Sequence, residues 1–236
     1  MIKAELEFQI PARSDAVERL LSLPQGLRPT HQHLGEDDVG TAIGKKDALI
    51  RSLESNEAGL YLSSSNSIYD VRKSRNSTFI CNGYFERPSP PAIKNFLLHM
   101  AGANPIFGFA CTPEEKEAKN RVTTKQGVNT IESWVGRDTR KYIPGLYWLT
   151  LLSTALAEKH NVSLPAIEGV ALEHIELEDG QHLFRFYEEP EKWRCATEVA
   201  KLCSSLPGVF NIEKARPQIE SAKNFLDLNA MVKNWK

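Results

Sequence analysis

The 236-residue chain predicts an α+β fold, a mostly antiparallel sheet with helices packed on one face. Three observations carry that expectation. Its strand-like segments alternate polar and apolar residues, the pattern of a sheet with one face covered. Strands followed by helices recur in both parts of the chain, as layered α+β domains require. The chain is also long enough to bury roughly 70% of its unfolded surface, so a core forms without a metal or disulfide staple. A single domain over 1–236 fits this length, and so do two subdomains at 1–103 and 104–236. The similar order of elements in the two parts leaves a duplication open, although no aligned residue identity supports it.

Lys3 to Ile10 sets Leu6, Phe8 and Ile10 on one face and Glu5, Glu7 and Gln9 on the other, an amphipathic strand ended by Pro11. Ser14-Asp15-Ala16-Val17 opens a helix with capping side chains, and Val17, Leu20 and Leu21 form its stripe. Residues 23–44, rich in Gly and Pro, read as a long loop. A short helix follows at Asp47 to Ser55, then strands at Leu60 to Leu62, Ile68 to Arg72 and Thr78 to Phe85, then a helix at Ala92 to Ala101. The second part opens with a strand at Ile106 to Ala110. Thr112-Pro113-Glu114-Glu115 has the hydroxyl cap, first-turn proline and acids of a helix start. A strand is expected at Asn129 to Val135, then a helix from Pro144 to about His160. Leu172 to Leu177 and Gln181 to Tyr187 read as a hairpin closed by a two-residue Asp179-Gly180 turn, which sets Ile175 opposite Phe184 on the core side. Glu191 to Leu206 and Ile219 to Trp235 read as helices, with a short strand at Val209 to Ile212 between them.

The formal net charge of −1 argues against broad nucleic-acid binding, which needs clustered excess base. The first residues, Met1-Ile2-Lys3-Ala4-Glu5-Leu6-Glu7, carry acids where a signal peptide needs an apolar core. The most apolar run, Gly145 to Ala157, is shorter than the ~20 residues that span a bilayer. Cytoplasmic residence without a membrane partner is the resulting expectation. Cys81, Cys111, Cys195 and Cys203 show no C-x-x-C spacing and are expected to be reduced and mostly buried.

Catalytic frames are missing from the sequence. There is no G-x-S-x-G elbow, no dinucleotide fingerprint and no phosphate loop. His31-Gln32-His33 beside Glu36, Asp37 and Asp38 has metal-ligand residue types, but no third ligand is assigned, so a solvated loop is the preferred reading and no metal or cofactor is expected. Arg72-Lys73-Ser74-Arg75 reads as an exposed turn.

The segment from Glu132 to Leu152 stands out, because it sets Trp134, Tyr142, Tyr147 and Trp148 beside Arg137, Asp138, Arg140 and Lys141. Aromatics with arginine are what protein interfaces enrich at their hot spots. A charged turn leading into a helix at Pro144 would also place free amide donors beside Arg137 and Arg140, an anion pocket suited to a small-ligand protein or enzyme. The plain alternative puts Trp134 and Trp148 in the core and ties Arg137, Asp138 and Arg140 into a local ion-pair network.

Gly145-Leu146-Tyr147-Trp148, after a Trp-containing strand and the Tyr142-Ile143-Pro144 turn, resembles bacterial immunity proteins that accompany polymorphic toxins or type VI secretion effectors. Several such α+β families carry a Gly-x-Tyr-Trp element at a helix start, matched here by Gly145, Tyr147 and Trp148. The resemblance implies a protein that acts by binding, occluding a cognate toxin through a large complementary interface. Glu36, Asp37, Asp38 and the tract Glu188-Glu189-Pro190-Glu191 are then candidate partner surfaces, with Trp134, Arg137, Asp138, Arg140, Tyr142, Tyr147 and Trp148. A self-associating scaffold, using the Trp193 helix or the Phe225/Leu228/Val232/Trp235 helix, is the third class considered.

Overall fold

The computed structural model describes residues 1–33, 40–55, 59–74, 78–126 and 129–234. In chain order the strands are β1 (Ile2–Gln9), β2 (His31–His33), β3 (Thr41–Ala42), β4 (Leu60–Ser63), β5 (Ser67–Lys73), β6 (Thr78–Phe85), β7 (Phe107–Cys111), β8 (Arg121–Gln126), β9 (Asn129–Trp134), β10 (Leu149–Ser153), β11 (Glu173–Glu176) and β12 (Gln181–Arg185). Among the described residues, ten of these form one sheet in the order β11-β12-β10-β7-β1-β6-β5-β4-β2-β3, with every neighbouring pair antiparallel. The helices are α1 (Arg13–Leu21), α2 (Lys46–Ser55), α3 (Pro90–Ala101), α4 (Pro113–Asn120), α5 (Thr154–Lys159), α6 (Leu164–Glu168), α7 (Thr197–Ser205), α8 (Ile212–Glu220) and α9 (Phe225–Asn234). A separate hairpin pairs β8 with β9. The two parts of the chain share the large sheet, joined where β1 pairs with β7.

The alternation in β1 decides which way the sheet faces. Ile2, Ala4, Leu6 and Phe8 are buried on one face with Phe79, Tyr69 and Phe85 of the neighbouring strands. The side chain of Phe96 on α3 packs against the Tyr69 and Phe85 rings, at 6.0 and 5.0 Å between centroids, and α1 adds Val17 and Leu20 to the same core. Lys3, Glu5 and Glu7 point to the other face. The antiparallel sheet with its packed helices is the α+β fold that the sequence predicts, and on this second face Lys116 of α4 reaches across to Glu5. Thr112 caps α4 as its sequence predicts, its Oγ1 accepting from the Glu115 amide at 3.2 Å.

Several elements differ from the sequence expectation, among them β2 and β3, which pair within the segment 23–44 expected to be a loop, and the unexpected β8 and α6. Pro144 begins no helix: Gly145 takes φ +151°, and Leu149–Ser153 runs as strand β10 between β7 and β12. Its residues Leu149 to Leu152 are buried on both faces, so the apolar run lacks the alternation that separates a strand from a buried helix. Ser153 then caps the shorter α5, accepting from the Leu156 amide. The β11–β12 turn holds Glu178, Asp179 and Gly180, with φ +59° at Asp179 and +69° at Gly180. That added residue shifts the register by one, so His174 rather than Ile175 lies opposite Phe184. A short 3-10 turn, Pro190–Cys195, replaces the first part of the expected helix at Glu191. The expected strand at Val209 is reduced to one parallel bridge with Ile143, and the C-terminal part folds as α8 and α9; Trp235 lies outside the described residues.

A second, smaller hydrophobic cluster follows from these changes. Val122, Val135, Tyr142, Phe210, Ile212, Ala215, Ile219 and Leu228 join the β8–β9 hairpin to α8 and α9, apart from the main core.

Candidate functional site

The polar face of β1 carries a buried cluster of charged side chains. Glu5 Oε2 accepts from Lys116 Nζ at 2.6 Å, and Glu5 Oε1 accepts from Arg137 Nη2 at 2.7 Å. The side chains of Glu5 and Lys116 are 12% and 4% exposed, which makes this a buried ion pair with a second cation at its rim. Burial alone would raise the Glu5 carboxyl, but the Arg137 and Lys116 charges outweigh it and hold the group down at about 2. Lys116 is drawn below its ordinary value by its own burial, against the pull of Glu5.

Aromatic rings stack around this cluster. Lys116 Nζ lies 5.2 Å from the centroid of Trp134 and 5.7 Å from that of Phe109. Phe109 in turn stacks on Tyr147 at 4.0 Å, and the Tyr147 hydroxyl donates to Asn120 Oδ1 at 2.5 Å. Tyr147 and Phe109 are buried, whereas Trp134 keeps 44% of its surface in solvent. The layers thus run from a closed aromatic base, through a fixed charge pair, to an exposed indole.

Beside Trp134 the sheet face opens into a depression of about 690 Å³, bordered by Glu5, Glu7, Arg72, Phe107 and Arg137. Glu7 is held there by the Thr78 hydroxyl, which donates at 2.8 Å, and its carboxyl is pushed up by burial with Glu5 and Asp138 nearby. Further along the same face, β4, β5 and β6 leave a broader depression of about 910 Å³ lined by Tyr61, Ile68, Asp70 and Tyr84. Ile68 is 55% exposed there, and Lys3 Nζ donates to the Tyr84 hydroxyl at 3.2 Å.

The structure separates the residues that the sequence grouped. Trp134 and Arg137 reach the cluster, Trp134 over Lys116 and Arg137 onto Glu5. Asp138 and Arg140 form a local pair instead, with Arg140 Nε and Nη2 donating at 2.9 and 2.8 Å. Tyr142, Tyr147 and Trp148 are buried within the chain: Tyr142 packs on Phe210 in the small core, and Trp148 Nε1 donates to the Tyr187 carbonyl at 3.0 Å. Glu36, Asp37 and Asp38 lie outside the described residues. In the second acidic tract Glu188 is exposed and accepts from Arg185 at 2.9 Å. With no helix at Pro144, and with Arg137 and Arg140 each held by a carboxylate, the amide donors and paired arginines of the anion pocket are not brought together.

Glu5, Lys116 and Glu7 were missed as site residues. The alternation of β1 marked Glu5 and Glu7 as polar-face residues, but no local signal tells that α4 covers Glu5. Lys116 follows an ordinary capping box and is buried by tertiary packing alone.

Of the four cysteines expected to be mostly buried, Cys81 and Cys111 are buried and Cys203 is partly so, but Cys195 is exposed. Burial pushes the thiols of Cys81, Cys111 and Cys203 up, away from thiolate. Buried Glu115 accepts from Lys119 and from the Tyr187 hydroxyl, and burial raises both its carboxyl and that phenol. Among the described residues, no group of three His, Cys, Asp or Glu side chains is placed to hold a metal, and no helix is long and apolar enough to cross a membrane. Comparison of the chain with protein-family models, with curated proteins and with solved structures finds no match.

Proposed function

We propose that this chain is a non-catalytic, immunity-type protein that binds and neutralises a cognate bacterial toxin of a polymorphic-toxin or type VI secretion system, and that it does so in the cytoplasm. The observation that carries the reading is Trp134. It is a large aromatic left 44% exposed, yet it is seated over the buried Lys116–Glu5–Arg137 cluster and borders an open sheet face. An anchor fixed before binding loses little side-chain freedom on association, and aromatic anchors beside arginine dominate interface energies. The Gly145-Leu146-Tyr147-Trp148 resemblance supports the same reading. Its role here is internal, because Tyr147 and Trp148 build the base on which the face rests. The toxin would be occluded by the face around Trp134, with Arg140 and the exposed carboxylates steering its approach.

Co-expression with each toxin-like gene adjacent to its own in the host genome tests the reading. One of those genes should be lethal alone and tolerated with this chain. Trp134→Ala should abolish protection by weakening binding at least 30-fold, about 2 kcal/mol, while thermal unfolding stays within a few degrees of the parent. If no neighbouring product is neutralised, or if Trp134→Ala protects as well as the parent, the reading fails.

A further inference from the structure

The β11–β12 edge carries a chain of hydrogen bonds whose direction is fixed at one end. His174, His182 and Phe184 lie on one face of these strands, with His174 directly opposite Phe184 and His182 opposite Glu176 in the register. His174 Nε2 is 3.1 Å from His182 Nδ1, and His182 Nε2 is 2.9 Å from Thr154 Oγ1. The Thr154 hydroxyl donates to the Gly180 carbonyl at 3.1 Å. At the other end, His174 Nδ1 is 3.3 Å from Glu168 Oε1.

A hydroxyl has one hydrogen, and Thr154 gives it to a carbonyl that can only accept. Thr154 Oγ1 therefore accepts from His182, which makes His182 Nε2 the protonated nitrogen. Neutral His182 then presents a lone pair at Nδ1, and His174 donates to it from Nε2. One nitrogen remains, His174 Nδ1, and it faces a carboxylate. A proton there completes an ion pair with Glu168. It also charges a ring that is stacked on Phe184, 4.6 Å between centroids and 11° from parallel, where a cation gains from the aromatic face. His182 has no such place for a second proton. A hydrogen on its Nδ1 would meet the His174 Nε2 hydrogen across 3.1 Å, with both rings charged.

We propose that His174 and His182 form a one-proton switch on this edge: the dyad holds one proton at His174 Nδ1, and a second proton on His182 drives the rings apart and breaks the contact by which they tie β11 to β12. The charged groups facing the dyad are Glu168 from α6 and Glu176 from β11, while α5 contributes the neutral Thr154 hydroxyl and the turn contributes the Gly180 carbonyl. Burial and the His174 charge both hold His182 below its ordinary value, with Glu168 and Glu176 opposing. Loss of the dyad therefore belongs to the acid side of that value.

Long-range proton–nitrogen spectra of the histidine rings in the full chain, from pH 8 to pH 4.5, test the proposal, together with amide exchange of β11. The expected result is His182 in the Nε2–H form at neutral pH, the first ring protonation at His174 Nδ1, and at least tenfold faster exchange of β11 amides once His182 titrates. His174→Gln should move the His182 midpoint upward, and Glu168→Gln, at an exposed position, should move the first protonation downward without altering the fold. A neutral His182 carrying its hydrogen on Nδ1 would overturn the proposal. So would rings whose midpoints ignore each other's replacement, or β11 exchange that is unchanged by the second proton.

Discussion

The two faces of the sheet are built from the same strands and both hide their residues in the middle of β1, yet they achieve it by opposite means. On one face Leu6 and Phe8 are buried among Phe79, Phe85 and Phe96, and any apolar group of matching volume would serve. On the other, Glu5 is buried only because Lys116 and Arg137 meet both of its oxygens. The first face tolerates approximation; the second fails as soon as one partner is missing. Alternation in a sequence therefore reports which side chains are polar, not which are exposed.

That contrast predicts the largest effect at Glu5. Glu5→Ala leaves a buried ammonium without its counterion and should destabilise the fold by about 3–5 kcal/mol. Leu6→Ala, one residue along and on the opposite face, should cost about 3 kcal/mol through lost contacts and a cavity. Replacing the whole cluster (Glu5→Leu, Lys116→Met, Arg137→Leu) should return stability to within about 1 kcal/mol of the parent, since well-packed apolar groups commonly match a buried ion network. Urea unfolding of the variants measures all three. A triple variant as unstable as Glu5→Ala would mean that the charged layer is irreplaceable rather than merely self-consistent.

The same contrast explains how much of the molecule was legible in its sequence. Elements with polar–apolar alternation, with a strand-forming run between turns, or with a capping box could be read directly: β1, β5, β6 and the capped start of α4 fall where their patterns place them. A continuous apolar run could not. The run around Leu149 to Leu152 has no alternation to report, and it reads as helix until β7 and β12 are seen on either side of it. The register of β11 and β12 turned on whether Glu178 belongs to the strand or to the turn, a choice made by the positive φ at Asp179 and not by hydrophobic pattern. At the candidate site, Trp134 and Arg137 were visible as residue types suited to an interface. Their partner Lys116 was not, because a lysine on a short helix ordinarily points to water.

A pH series sharpens the comparison at a smaller scale, within the charged face alone. Glu5 is held down to about 2 from an ordinary 4.5, so its stabilisation is present above pH 4.5 and lost as pH falls toward 2, about 3 kcal/mol in all. Glu7 is shifted the other way: its folded state favours the neutral acid, so that contribution is present below pH 4.5 and lost as pH rises through the raised value. Two carboxylates two residues apart should therefore show opposite slopes. Glu5→Gln should flatten the acid limb of the stability curve, and Glu7→Gln should make the protein more stable at pH 7 while leaving pH 4 nearly unchanged. A loss of stability at pH 7 in Glu7→Gln would show that the hydroxyl bond from Thr78 outweighs desolvation there.

The smallest expected effect comes from setting Arg137 against Arg140, residues three apart that the sequence presents as equivalent. Arg137 is two-thirds covered and bonds a buried carboxylate; Arg140 is 60% exposed and bonds Asp138, two residues away. The second pair is held in water and fixed by its own turn, so Arg140→Ala should change stability by less than about 1 kcal/mol and the effect should fade with added salt. Arg137→Ala removes a charge from beside a buried one, and salt should not restore it. Denaturant curves at low and high ionic strength measure both. Equal, salt-sensitive losses for the two arginines would mean that the cluster around Glu5 is wetted like any surface pair, and the distinction between the faces would reduce to one of composition.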